Sequence, residues 1–137
     1  MTVTRENTSA QTKEAGKINF TKTLKSLLEL LELEEEDDYG VLRPTDYAFK
    51  MAINLLVEAY EMMGDRFPKI AHNSTDELGG IRIGWARENS ARELSLFCPS
   101  TPDKQAYIYH QINDDSAVEY EVSASNLVSW LEWFKGE

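Results

Sequence analysis

From Gly79 to Val122 apolar and polar residues alternate in four short runs. Ile81, Ile83 and Trp85 alternate with Arg82 and Gly84; Leu94, Leu96 and Cys98 share one parity of Arg92–Cys98. In Gln105–Ile112, Ala106, Ile108, His110 and Ile112 oppose Tyr107, Tyr109 and Gln111. Val118, Tyr120 and Val122 alternate with Glu119 and Glu121. Period two sends alternate side chains to opposite faces of a sheet. The breaks at residues 88–90, 99–104 and 113–116 are short and polar, which predicts an antiparallel meander. Gly79-Gly80 precedes a strand rather than a helix, so it reads as a tight turn or bulge and not as a phosphate loop.

Around this core the period is helical. Phe20, Leu24, Leu27, Leu28 and Leu31 recur at i, i+4, i+7, i+8 and i+11. Acids at the C-terminal end oppose the helix dipole, and with Gly40 and Pro44 they end this helix near residue 36. Thr45 or Asp46 caps a second helix to about Met63, with Gly64 as its stop. Its polar stripe is narrow (Asp46, Lys50, Asn54, Glu58, Glu61), so it needs cover on more than one side. Ser123 or Ser125 caps a last helix with Leu127, Leu131 and Phe134 on its core stripe, Trp130 beside them and Trp133 on another side. Lys69–His72 offers a fifth strand, and Asn73–Asp76 reads as a turn. The fold class is therefore α+β: two N-terminal helices, an antiparallel meander of four strands or five, and a C-terminal helix packed on the sheet. Residues 1–16 are polar and read as a flexible tail, leaving 17–137 as one domain.

Charge changes the picture locally. The formal net charge is −10, of which Glu29–Asp38 supplies seven negative charges, so the rest of the chain is only mildly acidic. No basic stripe tracks a phosphate backbone, and no nucleic-acid partner is expected. The acidic block reads as a solvated helix end and loop, with attraction of a basic partner as the functional alternative. No apolar run reaches membrane-spanning length and the N-terminus lacks a signal core, so neither a membrane nor an export signal is expected; one cysteine and this profile make the cytoplasm the expected compartment.

Candidate chemistry is sparse. His72, Ser74 and Asp76 hold the residue types of a hydrolytic triad, but within five positions they read as a surface turn. One cysteine and two scattered histidines give no zinc spacing, the consecutive acids lack the form of a calcium loop, and no metal or cofactor is expected. Cys98 reads as a small buried hydrophobe. No catalytic residue is assigned. Two functions remain open. One is a non-enzymatic interaction or regulatory module, expected to be a homodimer or to accompany a partner protein, through surplus apolar helix surface at Leu24, Leu28, Leu31 and Trp133. The other is a small-ligand binder or enzyme with a pocket between helix and sheet, using Arg82, Arg92, Tyr107, Tyr109 and His110. Alternation leaves two arrangements of the third strand: tyrosines inward with His110 out, or the reverse.

The run Gly79-Gly80-Ile81-Arg82-Ile83-x-Trp85, then Tyr107-Ile108-Tyr109, then Leu127-x-x-Trp130-Leu131-x-Trp133 resembles a group of small, uncharacterised bacterial α+β proteins. The likeness spans Pro44 to Phe134 and leaves residues 1–40 outside. It implies a bacterial cytoplasmic domain and supplies no activity and no site residues.

Overall fold

A computed structural model of the chain describes residues 2–38 and 40–136, with side chains from Ala15 onward. In order the elements are α1 (Thr2–Leu30), β1 (Glu36–Asp37), β2 (Gly40–Val41), α2 (Asp46–Met63), a 3₁₀ turn (Gly64–Arg66), β3 (His72–Thr75), β4 (Ile81–Ala86), β5 (Arg92–Cys98), β6 (Tyr107–Ile112), β7 (Asp115–Glu119) and α3 (Ala124–Lys135). Strands β3 to β7 form one antiparallel meander in sequence order, and β1 and β2 pair separately. The main sheet thus has five strands, the larger of the two numbers that the pattern allows. Its extra strand is shifted three residues along from Lys69–His72, sharing only His72 with it, onto the polar stretch read as a turn, because backbone pairing with β4 at an edge needs no apolar side chains.

The registers sort the side chains into cross-strand rows. One face carries Asn73–Ile83–Leu96–Ile108–Glu119, with the row Trp85–Leu94–His110–Ala117 beside it. Ile81, Ile83, Trp85, Leu94, Leu96, Cys98 and Ile108 are all buried there, under α2 and α3. Burial pushes the Cys98 thiol up to about 12, as suits a core residue rather than a nucleophile. Helix α2 presents Ala48, Ala52, Leu55, Leu56, Ala59 and Met63 to this core, and α3 presents Leu127, Leu131 and Phe134.

The caps follow the sequence. The Thr45 hydroxyl accepts from the Ala48 N–H (3.1 Å) and donates to the Ser100 carbonyl (2.7 Å), so one side chain starts α2 and ties it to the loop after β5. Gly64, at φ +56°, stops it. The Ser123 hydroxyl accepts from the Asn126 N–H (3.1 Å) to start α3. Gly79, at φ +97°, completes the β3–β4 turn, where the Asp76 carboxylate accepts from Leu78 and Gly80. That carboxylate is committed to the turn, and His72 and Ser74 lie on the edge strand, which leaves no triad.

Helix α1 differs from its pattern in three ways. It ends at Leu30 rather than near 36: residues 31–33 tighten into i→i−3 hydrogen bonds, and the Arg43 guanidinium donates twice to the Leu33 carbonyl (3.0 and 2.8 Å). Its buried face carries Thr23, Leu27 and Leu30, while Leu24 and Leu31 are half-buried and Leu28 is 52 % exposed. Thr23 hides this face from a hydrophobicity pattern; its hydroxyl is satisfied by the Asn19 carbonyl (2.8 Å). Helical backbone also continues back to Thr2. The side chains of residues 1–14, and with them most of the expected tail, lie outside the described residues. Gly16 marks the crossing with the 3₁₀ turn, since a Cβ there would overlap the Gly64 and Asp65 backbone. Phe20 then stacks on Tyr60 (4.2 Å between ring centroids), with Phe67 edge-on to both. Among the described residues no helix is long and apolar enough to cross a membrane.

Candidate functional site

The registers settle which way β6 faces. Tyr107 and Tyr109 point away from the helices, and His110 points toward them. The five residues expected to share a ligand site therefore divide between two faces.

On the outer face, Arg82, Phe97 and Tyr107 form one cross-strand row over β4, β5 and β6. The Arg82 guanidinium stands over the Phe97 ring (5.1 Å) and the Tyr107 ring (5.8 Å) and donates to the Tyr107 hydroxyl (3.1 Å). Tyr107 also meets Phe97 at 5.0 Å and Tyr120 at 6.2 Å between centroids. The next row runs His72–Gly84–Ser95–Tyr109–Val118. The His72 ring lies over Gly84, in the space a Cβ would take. The Tyr109 hydroxyl donates to the Gln111 side-chain carbonyl. Tyr120 is 59 % exposed and Val118 40 %. All three helices pack from the other side; even α1 reaches β3 through Ser26 and Asn73, on an inner row (2.7 Å). Paired strand residues of this outer face include one acid, Glu93, one arginine, Arg82, and no lysine. In a chain with 24 acidic residues that composition is distinctive. Aromatic residues and arginine with few lysines and acids is the composition of a protein interface core.

On the helix side, His110 stacks on Trp130 of α3 (3.7 Å between centroids, 15° between planes), with Trp133 edge-on to both rings. Partial burial here lowers the His110 pKa below its ordinary value, against a smaller opposing pull from Glu119. Arg92 stands over the Trp133 ring (5.1 Å) and donates to the carbonyls of Trp133 and Gly136. Arg87 donates to the Phe134 carbonyl (3.1 Å). These arginines occupy carbonyls at the C-terminal end of α3, which gives Arg92 a structural duty. Trp133 is half-buried in this cluster rather than projecting free.

Two grooves flank the sheet. One, of about 270 Å³, runs between β7 and α3 along His110, Ile112, Ala117, Trp130 and Trp133. The other, of about 420 Å³, lies between α2 and the strand ends, on Tyr47, Met51, Leu55, Ala106 and Val122, with Lys50, Asn54 and Glu58 at the rim. None of the five expected ligand residues lines this second groove. Among the described residues no three His, Cys, Asp or Glu side chains converge to hold a metal ion. No protein-family model, curated protein or solved structure matches the chain.

Proposed function

We propose that the protein is a non-enzymatic interaction module that pairs with a second copy through the outer face of its sheet. The observation that carries this reading is the Arg82–Phe97–Tyr107 row, continued by Tyr120, on a face that, among the described residues, no helix covers. Five strands at about 4.8 Å spacing and strands of about 20 Å give roughly 500 Å² of projected face per copy, so two copies bury about 1,000 Å² before side-chain relief, the lower bound for a specific interface. Charge favours the pairing, because the acidic block of residues 29–38 lies outside this sheet and the face itself is nearly neutral. The helical layer offers less than its sequence promised. The fully exposed positions of α2 are its polar stripe and Met62, since α1, α3 and the sheet cover the rest. An NMR dilution series tests the reading. The ring signals of Phe97, Tyr107 and Tyr120 are expected to shift with concentration while the Leu28 and Met62 methyls stay fixed; the opposite pattern contradicts it.

A second reading, a small-ligand site between helix and sheet, draws support from the apolar groove beside Met51 and Leu55, whose volume lies in the range of small-molecule pockets.

A further inference from the structure

The sheet has a second unused feature, its β7 edge. Strand order leaves β7 bonded on one side only, and its five residues pair with β6 in unbroken register without a bulge. Edge strands are ordinarily protected by lysine, proline, a bulge or inward-pointing charges, because free N–H and C=O groups invite another strand. Strand β7 has no lysine, proline or bulge; its inward-pointing charges are both acidic, so they guard against acidic or neutral strands and not against a basic one. On its helix-side face it presents Asp115, Ala117 and Glu119, an acid, a small residue and an acid at period two. From Gln105 to Phe134 the chain carries five acids and no lysine or arginine. Beside Ala117 opens the groove formed with His110, Trp130 and Trp133.

We infer that β7 accepts an extended basic segment of a partner protein as a sixth strand. The register dictates its form. A strand laid on β7 places every second side chain on the helix side. The residue opposite Ala117 meets the tryptophan-lined groove and is a large apolar one. The residues two before and two after it stand opposite Asp115 and Glu119 and are basic. The pattern is basic–x–apolar–x–basic, and it reads the same in either strand direction. A second copy in the full-length register is disfavoured: pairing β7 with itself about Ala117 sets Asp115 against Glu119 twice, and like charges directly opposite are destabilising. The inference rests on the reading of the protein as an interaction module but uses a different surface, so the two can fail separately.

The test is a peptide titration followed by amide and indole NMR. The probe is the capped peptide Ser-Lys-Thr-Phe-Val-Lys-Ser, with a counterpart bearing glutamate in place of both lysines. Shifts are expected at Asp115–Glu119 and at the Trp130 and Trp133 indoles, with the lysine peptide about tenfold tighter. The double variant Asp115→Lys, Glu119→Lys, at exposed or half-exposed edge positions, is expected to reverse that preference. Absence of shifts at millimolar peptide, equal binding of both peptides, an unreversed preference, or shifts centred on Tyr107 and Tyr109 would overturn the inference.

Discussion

His110 shows how much a single orientation decides. Its stacking on Trp130 fixes the orientation of all of β6, because period two then turns Tyr107 and Tyr109 outward. The same contact makes stability depend on pH. Burial holds the folded-state pKa of His110 below 6.5, so above that pH the ring is neutral in folded and unfolded chains alike. As pH falls below 6.5 the unfolded chain takes up the proton first and stability drops, until pH passes the folded-state pKa. The melting temperature is expected to fall over that window, and His110→Phe, which keeps a ring against Trp130, is expected to fall less; equal losses would contradict the assignment. Alternation showed that Tyr107 and His110 take opposite faces but not which face each takes, since both parities of β6 hold large side chains. The choice comes from α3, far along the chain. Arg92 was equally opaque: it donates to the backbone carbonyls of Trp133 and Gly136, and a carbonyl leaves no mark in a sequence.

At the scale of elements, the chain was legible wherever local chemistry decides. Thr45, Gly64, Ser123 and the Asp76–Gly79 turn all act where their residue types predict. Thr45→Ala removes both the cap and the link to Ser100, and is expected to cost about 1 kcal/mol or somewhat more, read as a lower denaturation midpoint with unchanged slope. An unaltered midpoint would contradict the cap. Legibility failed where tertiary contacts decide. Strand β3 has no apolar pattern, because backbone pairing with β4 makes it. The buried face of α1 is displaced from its leucine stripe, because the Thr23 hydroxyl donates to the Asn19 carbonyl and the side chain can then occupy a core position. The end of α1 comes early because Arg43, ten residues beyond Leu33 in sequence, reaches back to its carbonyl.

For the whole molecule, the sheet has one face under the helices and one that no helix covers among the described residues. The helices account for the inner rows. The outer rows gather aromatic residues around a single arginine and exclude nearly all of the chain's charge. Surface apolarity in the sequence pointed to the helical layer and to Leu28; burial of α2 by its own chain moves the weight to the sheet. Sedimentation velocity at tens of micromolar compares these directly, using the wild type, Tyr107→Glu and Leu28→Glu, each with its fold checked by circular dichroism. The wild type is expected at twice the 15.6 kDa chain mass, Tyr107→Glu as a monomer and Leu28→Glu as a dimer. A monomeric wild type, or a dimer broken by Leu28→Glu and untouched by Tyr107→Glu, would contradict pairing through the sheet.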